Sequence, residues 1–133
     1  SMREVVTLAS IIEKETGVAQ ERPLIASVFL NRMHQGMRLE TDPAVIYGIP
    51  DFDGNLRRRD LENETNPYNT YRIAGLPPGP IASPGAAALR AVVEPAQTPY
   101  LFFVSRNDGS HTFSKTYDDH LAAVNRYQRS GGS

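Results

Sequence analysis

Apolar side chains at Val5, Leu8, Ile11 and Ile12 recur at helical spacing and predict a helix over 3–16, with Gly17 available to end it. Leu24, Ile25, Val28, Phe29 and Met33 repeat the pattern over 20–35, with Pro23 in the permissive first turn and Gly36 as the stop. Thr41-Asp42-Pro43 reads as a cap followed by a helix-compatible proline, so 44–47 is expected to form a short helix with Asp42 in a capping role. Over 48–80 the periodicity dissolves into glycine, proline, asparagine and charge, apart from a short strand expected at 70–73. Ser83-Pro84 is read as the cap of a helix holding Ala87, Leu89, Ala91, Val92 and Val93, which Pro95 helps to end. A strand at 100–105, a turn at Asn107-Asp108-Gly109 and a partner strand at 111–114 form a hairpin. Thr116 followed by Asp119 marks a capped last helix through about residue 129. The expected class is α+β, mainly helical with a small antiparallel sheet.

The helical wheel of the first segment singles out a carboxylate. With Leu8 as origin and about 100° per residue, Glu15 falls about 20° from Leu8, inside the apolar arc, while Glu13 falls about 140° away. A helix so placed points Glu15 at the core or at a cleft wall. Desolvation penalises the charged form, so a partly buried glutamate keeps its proton nearer to neutral pH and can give it to a leaving oxygen. The alternative is an ion pair with Arg22 or Arg32, or a frayed last turn.

The chain has 133 residues, 40% of them hydrophobic, which suits one domain with a core of its own; 3–129 is the expected ordered part. Ser1-Met2 reads as the remnant of a cleaved tag, and Gly131-Gly132-Ser133 as an appended tail or a native loop. A net charge of −1 argues against a nucleic-acid partner, and the absence of cysteine excludes disulfides, thiolate metal sites and cysteine nucleophiles. No run approaches the roughly 20 apolar residues of a membrane span. His34, His111 and His120 lack compact metal-ligand spacing; His111, on the hairpin, faces a groove or is a packed or surface histidine. Arg57-Arg58-Arg59 is offset by Asp60, Glu62 and Glu64. Tyr47, Tyr68, Tyr71, Asn55, Asn66 and Asn69 crowd in or beside the long loop, a mixture that suits a sugar groove and equally a well-tied loop. Gly75-Leu76-Pro77-Pro78-Gly79-Pro80 is a rigid, turn-prone scaffold.

Several longer strings carry a family resemblance. Ala9-Ser10-Ile11-Ile12-Glu13-Lys14-Glu15-Thr16 resembles the catalytic-helix signature of the bacterial endolytic murein transglycosylases, the MltG or YceG-like family. So do Ala26-Ser27-Val28-Phe29-Leu30-Asn31-Arg32, Gly36-Met37-Arg38-Leu39-Glu40-Thr41-Asp42-Pro43 and Tyr68-Asn69-Thr70-Tyr71, with Gly75-Leu76-Pro77-Pro78-Gly79-Pro80 and Gly109-Ser110-His111-Thr112-Phe113 further on. The resemblance runs from about residue 7 to residue 127. It implies a lysozyme-like transglycosylase domain that cleaves the bond from N-acetylmuramic acid to N-acetylglucosamine without water, leaving 1,6-anhydromuramyl ends. Glu15 maps to the family's acid and base, with Glu13 as the rival.

The same resemblance implies no metal or organic cofactor, glycan strands as substrate and peptidoglycan synthases as partners. The parent protein would be anchored in the inner membrane and work on its periplasmic face. The strings and the residue chemistry together make Thr16, Thr41, Asp42, Tyr47, Asn69, Tyr71 and Ser83 candidates for holding substrate or supporting the residues that do. A hydrolytic muramidase, with Asp42 or Glu40 activating water, and a glycan-binding module without turnover are the rival readings.

Overall fold

The computed structural model describes residues 1–129; the expected tail at 130–133 lies outside the described residues. Six α-helices and one hairpin follow in the order α1 (Met2–Glu15), α2 (Arg22–His34), α3 (Asp42–Tyr47), α4 (Arg58–Glu62), α5 (Ala86–Val93), β1 (Phe102–Ser105), β2 (His111–Ser114) and α6 (Tyr117–Val124). A 3₁₀ turn, Ala19–Glu21, leads into α2, and a π-helical turn, Asn125–Arg129, continues α6. The class is α+β, as expected. Among the described residues no helix is long and apolar enough to cross a membrane.

Helix α1 starts at a reciprocal capping box, Ser1 accepting from the Glu4 N–H and Glu4 reaching back to the chain start. Its middle is enclosed on more than one face, because Thr7 and Ser10 are buried alongside Leu8, Ala9, Ile11 and Ile12. Those two hydroxyls donate to the Arg3 and Thr7 carbonyls, which satisfies them inside the core. Ser10 Oγ also accepts the Ile81 N–H at 3.0 Å. The Arg3 guanidinium donates to the Pro78 carbonyl at 2.8 Å, so the proline-rich stretch is tied to α1 as a scaffold.

Helix α2 contributes Ile25, Ala26 and Phe29 to the same core as Leu8, Ile11 and Ile12, and α5 adds Ala88 and Ala91. Phe29 meets Phe103 of the hairpin edge-on, ring centroids 5.7 Å apart. Polar side chains of α2 stitch down the segment leading into β1. Asn31 donates to the Thr98 and Tyr100 carbonyls at 2.9 and 2.8 Å, and Arg32 Nε donates to the Leu101 carbonyl at 2.6 Å. The strands pair antiparallel, Phe103 opposite Phe113 and Ser105 opposite His111.

Three local expectations are corrected. The 70–73 segment is a turn, with the Arg72 and Ile73 N–H groups both donating to the Asn69 carbonyl. Its pairing with 40–41 has one backbone bond, the Glu40 N–H donating to the Thr70 carbonyl at 3.2 Å, and is otherwise made by a side chain: Thr70 Oγ1 accepts the Thr41 N–H and donates to the Thr41 carbonyl. Helix α5 begins after Gly85, not after Ser83, because the Gly85 N–H is capped from outside by Glu13 Oε1 at 2.7 Å. Asp42 is not the cap of α3; it is the first helical residue after Thr41, and its carboxylate points to Tyr71. The long loop also holds α4, which has no apolar period and starts where Asp60 accepts the Arg57 N–H.

Candidate active site

Glu15 is the last residue of α1, where the helix emerges from the core. It lines a cleft of about 540 Å³ between α1, the 39–42 segment, Tyr71, the hairpin and α6. The carboxylate is half-buried, so it is reachable, yet densely packed on its protein side. Burial pushes its pKa up from 4.5 to about 7; the Asp42 charge adds to the rise, and a hydrogen bond from Thr41 opposes it. Thr41 Oγ1 donates to Glu15 Oε1 at 3.1 Å. No ion pair joins Glu15 to Arg22 or Arg32 among the described residues. Arg32 instead reaches Glu40 at 3.6 Å, under the cleft floor. The result is a carboxyl that exchanges its proton near neutral pH in a cleft open to a ligand.

Two further groups share the cleft with it. The Tyr71 hydroxyl donates to Asp42 Oδ1 at 2.6 Å, and burial followed by that carboxylate raises the phenol above its usual range, so it stays protonated. His120 stacks on Phe102 at 4.9 Å with its Nδ1 enclosed and unpartnered. Burial and the Arg32 charge hold it below the usual histidine range. The cleft adjoins two other cavities. One shares Arg32 and Glu40 with it and carries Arg38, Phe102 and Tyr117; the other shares Glu15, Ser105 and His111 and carries Glu13 and Thr16. Glu15 therefore borders two of these spaces, the main cleft and the cavity shared with Glu13 and Thr16.

The sequence candidates separate in space. Glu15, Asp42 and Tyr71 line the cleft, and Thr41, itself buried, touches it through Glu15. Thr16 is buried behind Glu15, its hydroxyl donating to Glu21 at 3.3 Å. Glu13 lines the adjoining cavity and accepts the Gly85 N–H. Tyr47 is exposed and rests on Tyr68, 4.8 Å between ring centroids, outside the cleft. Ser83 is also exposed and outside it. Asn69 is fully enclosed, its amide donating to the Asp60, Leu61 and Asn63 carbonyls, so it ties the loop and offers no atom to a ligand.

Sequence reading missed the cleft roles of Arg32 and His120, and the buried Glu21 that grips His111. For His120 and Arg32 the available signal was their position one helical face from apolar residues, which does not distinguish a cleft wall from a core edge. Glu21 carried no signal, because its partner lies 90 residues away.

The Thr41 bond gives a direct check on the site's electrostatics. Thr41→Val keeps the shape and removes the donor that favours the ionised carboxyl, so the Glu15 titration midpoint should rise from about 7 by about half a pH unit. Side-chain carboxyl ¹³C NMR reads this, and a midpoint that stays or falls would contradict the assignment of the bond.

Comparison with known proteins agrees with this architecture. The model of the YceG-like family matches residues 1–126. The chain belongs to the YceG-like family. It is 40% identical over 127 residues to an endolytic murein transglycosylase of Bacillus subtilis (strain 168), covering 96% of this chain and 35% of that protein. It is 33% identical over 125 residues to an endolytic murein transglycosylase of Streptococcus pneumoniae, covering 90% of this chain and 23% of that one. A 2.6 Å crystal structure of a protein described as yceG-like from Listeria monocytogenes superposes with a TM-score of 0.83 at 41% identity, over 92% of this chain and 39% of that one. The chain thus spans about a third or less of the length of the curated relatives it matches.

Proposed function

We infer that this chain is the catalytic part of a peptidoglycan lytic transglycosylase that cuts glycan strands internally. The observation that carries the reading is Glu15: one cleft carboxyl with a pKa near 7, able to act first as acid and then as base. The names of its relatives supply the substrate class.

Protonated Glu15 gives its proton to the glycosidic oxygen between N-acetylmuramic acid and N-acetylglucosamine, and the C1–O bond breaks. Positive charge builds at the muramyl C1 as the leaving alcohol departs. The C6 hydroxyl oxygen of the same sugar bonds to C1, and its proton passes to the Glu15 carboxylate. The enzyme returns to its starting state, no water is consumed, and the product ends in a 1,6-anhydromuramyl unit. The acetamido group of the substrate and the protonated Tyr71 hydroxyl are the groups at hand to steady the charge-bearing sugar. Thr41 holds the carboxylate that forms after the first transfer, and the main cleft with its two adjoining cavities gives room for a strand that continues past the cut.

The rival is hydrolysis, favoured by the presence of Glu40 and Asp42 in the same cleft. Glu40 faces Arg32 at 3.6 Å and Asp42 Oδ1 accepts from the Tyr71 hydroxyl, contacts that occupy one oxygen of each carboxylate and favour the single-carboxyl reading. The parent protein is proposed to be anchored at the inner membrane and to act on its periplasmic face, beside peptidoglycan synthases. Product analysis decides the chemistry: uncrosslinked glycan strands incubated with the chain should yield anhydromuramyl termini by mass spectrometry. Reducing muramyl termini would replace the reading with hydrolysis.

A further inference from the structure

The geometry points to His111, locked by the buried Glu21, as a substrate-orienting residue that accepts a hydrogen bond from a glycan hydroxyl beside Glu15. This rests on the glycan-cleaving reading of the cleft. Glu21 closes the 3₁₀ turn before α2 and is 8% exposed. A carboxylate so placed needs donors, and three are present. Its Oε2 accepts the His111 backbone N–H at 2.8 Å, and its Oε1 accepts from His111 Nδ1 at 2.7 Å and from the Thr16 hydroxyl at 3.3 Å. Both ends of the His111 residue are thereby gripped, and its ring is held edge-on to Phe103, centroids 5.4 Å apart.

The grip fixes which ring nitrogen is left for a ligand. An ionised carboxylate only accepts, so Nδ1 carries the hydrogen, and in the neutral ring the lone pair sits on Nε2. Among the described residues Nε2 has no hydrogen-bond partner and is not one of the fully enclosed unpartnered side-chain nitrogens, which are Arg22 Nε and His120 Nδ1; the His111 side chain as a whole is 9% exposed. His111 lines the main cleft and the adjoining cavity, each time together with Glu15 and Ser105. His111 thus borders both spaces that Glu15 borders, and in the proposed arrangement its Nε2 faces them. Sugar hydroxyls are the donors a glycan strand brings to that place. Thr16 extends the same network to the residue that follows Glu15 in the chain.

A purely structural role, pinning the hairpin to the turn, makes the opposite prediction about two substitutions. Asn places a donor where Nδ1 stands and nothing where Nε2 stands; Gln reaches the Nε2 position and loses the Glu21 bond. In the Glu15→Gln chain, which binds without cutting, adding His111→Asn should weaken binding of uncrosslinked glycan oligosaccharides about tenfold or more by calorimetry. Adding His111→Gln should cost about threefold or less. With Glu15 intact, His111→Asn should lower kcat/KM about 100-fold with an unchanged Tm, and His111→Gln should recover part of it. In ¹⁵N NMR of the free chain, Nε2 should read as the unprotonated nitrogen and shift on adding the oligosaccharide. An Asn variant that binds and cuts like the parent, with the Gln variant losing Tm, would overturn the inference and leave the cleft reading intact. A Glu15→Gln chain that binds no glycan would overturn the cleft reading, and the inference with it.

Discussion

Replacing Glu15 by glutamine should abolish strand cleavage and, above neutral pH, make the fold more stable. Glutamine keeps the size of the side chain and an oxygen for the Thr41 hydroxyl, but it has no proton to give. Since one carboxyl serves both transfers, loss of both should lower kcat by about 1,000-fold or more. In the parent chain kcat/KM should fall about tenfold per pH unit above about 7, as the acid form of Glu15 disappears. The stability effect follows from the same shift. An unfolded Glu15 ionises near 4.5 and the folded one near 7, so between those values the native state holds the extra proton. Stability is full below about pH 4.5, declines as the pH rises to about 7, and stays lowered beyond. The full shift corresponds to about 3 kcal/mol, and the open side of the cleft reduces it to about 1–3 kcal/mol. Urea unfolding at pH 5 and pH 8 measures it: the gap between parent and Glu15→Gln should widen at pH 8. Equal stabilities at both pH values, or retained cleavage, would remove Glu15 from its role.

That cost explains why the acid was legible from sequence. A carboxylate inside the apolar arc of a helix contradicts the pattern around it, and such conflicts concentrate at working sites. Helix α1 with its clear period, α2 with apolar residues at helical spacing between Pro23 and Gly36, and the hairpin with its Asn107-Asp108-Gly109 turn were readable for the complementary reason, that local and tertiary preferences agree there. Elements built by long-range polar contacts were not. Helix α4 rests on Asp60 capping Arg57, and the start of α5 rests on Glu13, 72 residues earlier in the chain. The 70–73 segment has a strand-like composition, but Thr70 exchanges its hydrogen bonds with Thr41 through a hydroxyl, which no backbone propensity encodes. The Asn and Tyr residues of the loop look alike in sequence and divide completely in the fold: Tyr71 reaches the cleft, while Asn66 and Asn69 are buried ties.

Asn69 is the tie on which the site's outer wall depends, and Asn69→Ala should be the most damaging polar substitution in the loop. Its Nδ2 donates to the carbonyls of Asp60, Leu61 and Asn63 at 3.2, 3.0 and 2.8 Å, which closes the end of α4. Its Oδ1 accepts the Tyr71 N–H at 3.0 Å, so the same side chain sets the backbone that presents the Tyr71 hydroxyl to Asp42. The Asn69 side chain has no exposed surface, so all of its hydrogen bonds are made to the protein. Alanine therefore removes the donor to three partly buried carbonyls and the acceptor of one amide at once, a loss of about 2–4 kcal/mol against the 5–15 kcal/mol total of an ordinary domain. Asn69→Asp separates hydrogen bonding from volume: it preserves the shape but donates nothing to three carbonyls, so it should be at least as damaging as alanine. Asn55→Ala, at an exposed position in the same loop, should stay within about 0.5 kcal/mol. Urea midpoints rank the three, and hydrogen exchange should show lost protection across 58–72 for the two Asn69 variants alone. A loss below about 1 kcal/mol for Asn69→Ala would mean that the loop is held by its other contacts, the Thr41–Thr70 exchange and the Asn66 bond to Val45, and that Tyr71 reaches Asp42 without help from this amide.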